Sequence, residues 1–189
     1  MPRARTLRAD AARNRAKILE AANDLIVEHG PDVPMESIAA AAGVAVGTLY
    51  RHYPTKRALV GAVIESHFTH MADEAEAAEA RIAAGERATD ALRSLAYRIM
   101  DGAAHNQAVK AAARSMGADD ALHHGSELQR GIDVLARIIA AAKADGGLRA
   151  DLTVEDLLLF FKTVPVDAAP AVRARWCELM LDGFSAGRP

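Results

Sequence analysis

The chain has 189 residues, of which 51% are hydrophobic and 25% charged, and its formal net charge is -2 at pH 7. This balance excludes a disordered chain and fits one compact domain or two small ones that share a core. The longest uncharged stretch, residues 37–50, is shorter than the roughly 18 residues of a membrane span. No apolar segment follows the charged N-terminus, so we expect no signal peptide. The single cysteine, Cys177, excludes an internal disulfide and fits a cytoplasmic protein.

Alanine is abundant and the residues that favour strands are scarce, so we predict an all-α fold. Apolar residues at helical spacing predict a first helix over 11–29, which Gly30 and Pro31 end. The other predicted helices cover about 34–42, 46–52, 55–79 with Thr55 as N-cap, 87–104, 107–117, 125–145, 153–164 and 170–185. The first 17 residues hold six basic side chains and one acid. They are either a solvated tail or an arm that binds phosphate.

Two short predicted helices meet at Gly43, a residue that readily adopts the left-handed conformation of a sharp turn. Two helices joined in this way form a helix-turn-helix. The apolar residues expected in the seam are Ile38, Ala42, Val44 and Leu49. The second helix presents a more polar set than a buried helix tolerates: Thr48, Tyr50, Arg51 and His52.

These polar residues suit the major groove of DNA. Thr48 can contact a thymine methyl group or a phosphate, and Arg51 can bridge O6 and N7 of guanine. Tyr50 and His52 can donate to phosphates and so fix the register of docking. Lys56 adds a cation beside the backbone donors of a helix N-terminus. The pattern therefore predicts a DNA-reading helix.

The segment AAAAGVAVGTLYRHYPTKRALVGAV resembles the DNA-binding signature of the tetracycline-repressor (TetR) family, and KILEAANDLIVEHG is similar to the first helix of that family. The resemblance is close over residues 12–71. It implies a three-helix DNA-binding domain with its motif at 34–53, joined by a long helix to a C-terminal helical bundle for ligand binding and dimerisation. We accordingly expect a basic arm over 1–11, the DNA-binding domain over 12–71 and the regulatory domain over 72–189.

Carried over by position, the resemblance implies DNA contacts from Ala45, Val46, Thr48, Tyr50, Arg51, His52 and Lys56. Gly47 is added to this set because its lack of a side chain lets the backbone come close to the phosphates. Four positions depart from the family pattern. Ala45 stands where the family commonly has a capping serine, and Val46 where it often has lysine. Met35 and Glu36 stand where threonine and a polar or basic residue often meet phosphate. A phosphate would repel Glu36 if that side chain pointed toward it. With the family's polar contacts missing at these positions, base reading is expected to depend on Thr48 and Arg51, with an apolar contact from Val46.

The C-terminal helices carry apolar residues that serve either as core or as the lining of a ligand site. The residues expected to line a pocket are Tyr97, Met100, Met116 and Phe160. Residues 157–161 are apolar on every side of their helix, more than one core face requires. The resemblance places a two-fold dimer interface here, and the residues expected in it are Leu157, Phe161, Trp176, Met180 and Phe184.

Other histidine, serine and cysteine residues are better explained by structural roles than by metal binding or catalysis. His67 and His70, followed by two acids, have a spacing that a metal could use, but His67 lies on the apolar stripe of its helix. The pair His123 and His124 projects apart on a helix, and Ser126 lacks the surroundings of a nucleophile. Cys177 lies among apolar residues as a structural side chain. We therefore expect no enzyme, metal or cofactor.

The sequence thus predicts a homodimeric DNA-binding transcriptional regulator in the cytoplasm, at the nucleoid when bound. It is expected to be a repressor released from double-stranded operator DNA by a small molecule. One alternative is a regulator that does not respond to a ligand. Another is a helical protein that binds small molecules and retains an unused helix-turn-helix.

Overall fold

Apart from one isolated β-bridge, between Leu148 and Ser185, the regular structure of the described chain is helical. The structure is a computed structural model that describes residues 2–118 and 125–187. The prediction of an all-α fold is confirmed. The helices of the described residues are α1 (Pro2–His29), α2 (Met35–Ala41), α3 (Val46–His52), α4 (Lys56–Ala83), α5 (Ala88–Ser115), α6 (Ser126–Ala144), α7 (Val154–Lys162) and α8 (Pro170–Phe184).

Most helices lie within one or two residues of their predicted bounds, but α4 ends at Ala83 rather than near residue 79, and two helices differ more. Helix α1 begins at Pro2 rather than near residue 11, so the backbone of the predicted arm is helical. Helix α5 is continuous over 88–115, where the sequence predicted two helices with a boundary at Asn106. Asparagine disfavours a helix by well under about 1 kcal/mol, and tertiary packing readily overrides so small a preference.

Local signals set the ends of the first helices as predicted. Gly30 has φ 82° and Gly43 has φ 65°, both in the left-handed region that glycine enters without strain. The Thr55 hydroxyl accepts a hydrogen bond from the Ala58 N–H at 3.1 Å, which makes Thr55 the N-cap of α4. The helix-turn-helix and the start of the long helix are therefore set by short-range chemistry.

The chain divides into two compact units. The first contains residues 2–67 and 106–118, and the second contains residues 68–105 and 125–187. The predicted boundary at 71–72 divides the chain by sequence alone, whereas in the structure a later segment, from α5, belongs to the first unit. Helix α4 supplies residues to both units.

Each unit has its own buried residues. In the first unit, Ile18, Ile26, Ile38, Leu49 and Leu59 are fully buried. In the second unit the largest buried side chain is Phe160, which stacks on Trp176 with ring centroids 5.0 Å apart. Phe161 and Phe184 meet the same ring edge-on at 5.0 and 5.8 Å. Among the described helices, none combines the length and the apolar character needed to cross a membrane.

Candidate nucleic-acid interface

The inner face of α3 is fixed by apolar packing within the first unit. Leu49 is fully buried, as is Ile38 of α2, and Ala42 is buried beside the turn at Gly43. Val44 is half-buried. The seam predicted between the two short helices is therefore present, and it holds α3 in one orientation on α2.

The outer face of α3 is exposed. Val46 and Tyr50 are large hydrophobic side chains with 39% and 41% of their surfaces open to solvent. The face that carries these two side chains is therefore open to solvent, unlike the face of α3 that packs in the core. Six of the eight predicted contact residues are exposed: Ala45, Val46, Gly47, Tyr50, Arg51 and His52. The other two, Thr48 and Lys56, are half-buried.

The N-terminus of α3 has no side-chain cap. Ala45 is the N-cap residue, and its carbonyl accepts hydrogen bonds from the N–H groups of Thr48 and Leu49 at 2.8 and 3.2 Å. A serine there would supply a hydroxyl acceptor for one of the unpaired N–H groups of the first turn. This departure from the family pattern leaves the first turn of α3 dependent on its packing.

Tyr50 is already engaged by another side chain. Its hydroxyl donates to Oε1 of Glu36 at 3.3 Å, across the gap between α2 and α3. Partial loss of hydration raises the pKa of the exposed Tyr50 phenol, and the charge and hydrogen bond of Glu36 raise it further. The sequence placed Glu36 where a phosphate would repel it, but gave no sign that it binds the tyrosine predicted to meet phosphate.

Lys56 is also engaged within the protein. Its Nζ donates to the backbone carbonyl of Val33, in the segment before α2. Partial burial lowers the pKa of the Lys56 ammonium, and the charge of Asp32 partly offsets this. The lysine therefore braces the chain leading into α2, and the predicted contact with DNA remains a prediction.

Arg15 of α1 was missed by the sequence as a positioning residue. Its Nε donates to the hydroxyl of Tyr53 at 3.1 Å, and Tyr53 is the buried residue that ends α3. This bond joins α1 to the C-terminal end of α3. Arg13 pairs with Asp10 on the same helix. The side chains of Arg3, Arg5 and Arg8 lie outside the described residues, so their role stays a prediction.

The histidines of α4 form no metal site among the described residues, where no cluster of histidine, cysteine, aspartate and glutamate could hold an ion. Nε2 of His67 is 3.0 Å from Oδ1 of Asn23, and His70 is exposed. Asp73 pairs with Arg130 at 2.7 Å. The pair His123 and His124 lies outside the described residues.

The second unit contains an almost wholly apolar cavity of about 50 Å³. Residues from α4 to α7 line it: Phe68, Met71, Ala75, Leu95, Ile99, Glu127, Leu128, Gly131, Ile132, Leu135, Leu158 and Phe161. None of the four residues predicted to line a pocket is among them. Met100 and Phe160 are buried in the core, Tyr97 packs against that core, and Met116 belongs to the first unit.

The residues predicted to form the dimer interface are wholly or partly buried within one chain. Leu157 is fully buried within one chain, so it has no surface to add to an interface, and its assignment is corrected. The other four, Phe161, Trp176, Met180 and Phe184, are partly buried against the core. The large apolar residues that α7 and α8 expose are Leu159 at 59%, Val172 at 56% and Leu179 at 54%. These three are called the exposed apolar set below.

A short helix fixed by its inner face, with polar and basic groups along its outer face, defines a helix-turn-helix DNA-binding domain. The family of bacterial regulatory proteins named tetR matches residues 18–63. A TetR transcription regulatory protein from Mycobacterium vanbaalenii is 34% identical, with a TM-score of 0.76 over 95% of this chain and 99% of that one. The chain belongs to the TetR family of transcriptional regulators.

Two further relatives agree. A TetR transcriptional regulator from Streptomyces coelicolor is 29% identical, with a TM-score of 0.73 over 92% of this chain and 99% of that one. An HTH-type transcriptional regulator from Staphylococcus aureus is 40% identical over 75 residues. That match covers 38% of this chain and 39% of the relative, so this chain matches well under half the length of that protein.

Proposed function

We propose that this protein is a repressor that binds operator DNA in the cytoplasm through the outer face of α3. The observation that carries the proposal is the exposure of Val46, Tyr50, Arg51 and His52 on a helix that is anchored by the fully buried Leu49. A helix of this kind fits the major groove, where Arg51 can read guanine.

The test is binding to the DNA upstream of the protein's own gene, measured by fluorescence anisotropy over a range of salt concentrations. We expect a protected palindrome and an affinity that falls steeply with salt, because phosphate contacts release counterions. Arg51→Ala should relax the preference at particular bases, whereas Arg87→Ala, an exposed arginine of the second unit, should change nothing. An equal loss of affinity for every sequence in Arg51→Ala contradicts base reading by Arg51.

The protein is proposed to act as a homodimer through α7 and α8. A single helix-turn-helix makes few contacts, and two copies bind half-sites about 34 Å apart. The exposed apolar set gives these two helices a surface that association would bury. We expect a mass of twice 20.1 kDa in sedimentation equilibrium. The double variant Leu159→Glu with Leu179→Glu should be monomeric, whereas Ala140→Glu on α6 should stay dimeric. A monomeric parent protein contradicts the proposal.

Release from DNA is proposed to follow from an apolar, uncharged molecule in the cavity of the second unit. Among the residues that the structure describes, Glu127 is the one charged residue of the lining, and it is already paired with Arg130 at 2.7 Å. A charged ligand would therefore lose its hydration without gaining a free partner. Burial of an apolar ligand against these apolar side chains is favourable instead.

The small size of the cavity would couple ligand binding to a change in helix packing, and through it to DNA affinity. A water molecule needs roughly 10–15 Å³ of such a space, so about 50 Å³ holds only a few waters. A larger ligand must separate α4 from α6, which Arg130 now joins through Asp73 at 2.7 Å and Glu76 at 2.8 Å. Because α4 also supplies the residues that follow α3, the widened state can differ in its affinity for DNA. A 100-fold preference of the ligand for that state supplies about 2.7 kcal/mol.

Naphthalene and the charged 1-naphthoate are suitable probes of this cavity. We expect naphthalene to raise the melting temperature and weaken DNA binding, and naphthoate to do neither. Gly131→Leu places a side chain in the cavity and should abolish the response, whereas Ala140→Leu, at an exposed position of the same helix, should not. Equal affinity of the probe for free and DNA-bound protein contradicts a role in release and favours a regulator without ligand response.

A further inference from the structure

Glu36 and Tyr50 form a pair on the DNA-facing side of the first unit. Glu36 is in the first turn of α2 and is exposed, and Tyr50 is on the outer face of α3. The hydrogen bond of 3.3 Å between them joins residues 14 apart in the chain. Since both side chains are exposed, core packing does not account for the pair.

Counting hydrogens limits what this pair can bind. A phenol has one hydrogen to donate, and that of Tyr50 is donated to Glu36. The oxygen of Tyr50 can then only accept further hydrogen bonds. An ionised carboxylate likewise has acceptor oxygens and no donor. A phosphate of the DNA backbone also only accepts hydrogen bonds. The pair therefore matches donors on the DNA and not phosphate.

Charge acts in the same direction. The sequences of α2 and α3 are MESIAAA and VGTLYRH, so Glu36 is the one carboxylate in these two helices. Its negative charge opposes the approach of a phosphate to Tyr50. The phosphate contact that the sequence predicted for Tyr50 requires this bond to break.

We propose that Glu36 and Tyr50 together accept a hydrogen bond from the exocyclic amino group of a base in the major groove, and that they disfavour phosphate at this place. The proposal rests on the proposed function, in which α3 enters that groove. The amino groups that a duplex presents there are N4 of cytosine and N6 of adenine, and carboxylates accept from cytosine N4. The pair is thus a specificity determinant that lowers affinity for DNA in general.

The test begins by selecting a preferred duplex from a random library with the full-length protein. Each cytosine of the selected site is then replaced by 2-pyrimidinone and each adenine by purine, which removes one amino group at a time. We expect one position in each half-site at which the loss weakens binding by about tenfold. Whether that position holds cytosine or adenine identifies the base.

Three variants assign this effect to the pair. Glu36→Ala should abolish the tenfold discrimination and tighten binding to unselected duplex. Glu36→Gln, which keeps an acceptor without the charge, should also tighten that binding. Tyr50→Phe should weaken the discrimination at the same position, and it should change binding to unselected duplex less than Glu36→Ala does. Glu28→Ala, an exposed carboxylate of α1 with the same change in net charge, is the control and should have none of these effects.

The contrary results are distinct. If Tyr50→Phe weakens binding to every duplex equally, Tyr50 donates to phosphate and the inference is wrong. The inference is also wrong if Glu36→Ala and the parent protein discriminate to the same extent between the selected duplex and the duplex that lacks the amino group. If no duplex is selected at all, the proposed function fails together with this inference.

Discussion

The two units use their side chains in different ways. In α3 of the first unit, Leu49 is fully buried and its neighbour Tyr50 is exposed. Stability and the proposed contact with DNA therefore belong to different residues. In the second unit, Leu95 and Leu135 line the cavity and also belong to the buried core. We therefore expect a substitution to separate folding from the proposed DNA binding in the first unit, whereas in the second unit folding and the proposed ligand binding should change together.

The largest effect is expected at the centre of the second unit. Phe160→Ala removes a ring that is 1% exposed and contacts three other aromatic rings, so it should lower the free energy of unfolding by about 4 kcal/mol. Phe160→Leu keeps most of the volume and should cost about 1 kcal/mol. Urea denaturation followed by circular dichroism measures both. A loss below 1 kcal/mol in Phe160→Ala would show that this aromatic cluster does not hold the unit together.

The next largest effect tests the separation within α3. Leu49→Ala should lower the free energy of unfolding by about 3 kcal/mol because it empties a fully buried site. Arg51→Ala, two residues further along the same helix, should change stability by less than about 0.5 kcal/mol because the side chain is exposed. Thermal unfolding and DNA binding are measured on both. A large loss of stability in Arg51→Ala would remove the distinction between the two faces.

The first unit was predictable from sequence where short-range rules apply. Gly43 at the turn and Thr55 as N-cap each act within a few residues, so the residue type at each position predicts the local geometry. The pairs of the site join distant residues, such as Arg15 with Tyr53, 38 positions apart. Periodicity shows which face a residue occupies but not which side chain it meets, and the bond from Tyr50 to Glu36 was missed for that reason.

The second unit was less predictable where apolar residues follow one another without interruption. Residues 157–161 of α7 are all apolar, and this run alone does not distinguish the buried Leu157 from the exposed Leu159. Packing decides that orientation. The cavity lining likewise depends on how four helices meet, so residues with similar composition, such as Met100 and Met71, end in core and cavity respectively.

A smaller effect is expected at the uncapped start of α3. Ala45→Ser supplies the side-chain acceptor that this helix lacks, and it should raise the free energy of unfolding by about 1 kcal/mol. The added hydroxyl also stands on the exposed face and should strengthen binding to all duplexes modestly. Ala45→Val, which cannot cap, is the matched control. A stability equal to that of the parent protein would show that the free N–H groups of the first turn are already well solvated.

The smallest effect sets stability and DNA binding against each other at one residue. Gly47 is a helical glycine of α3, and a Cβ added there meets no atom within 4 Å. Gly47→Ala should therefore raise the free energy of unfolding by about 0.5 kcal/mol, because alanine loses less backbone entropy in a helix. The same methyl group keeps the α3 backbone away from the phosphates, so affinity should fall for every sequence.

The matched control for Gly47 is Gly183, a helical glycine of α8 with equally open surroundings. Gly183→Ala should give a similar gain in thermal stability with no change in DNA affinity. If Gly47→Ala also leaves DNA affinity unchanged, the backbone of α3 does not approach the duplex closely. Specific binding would then depend on the longer side chains of its outer face.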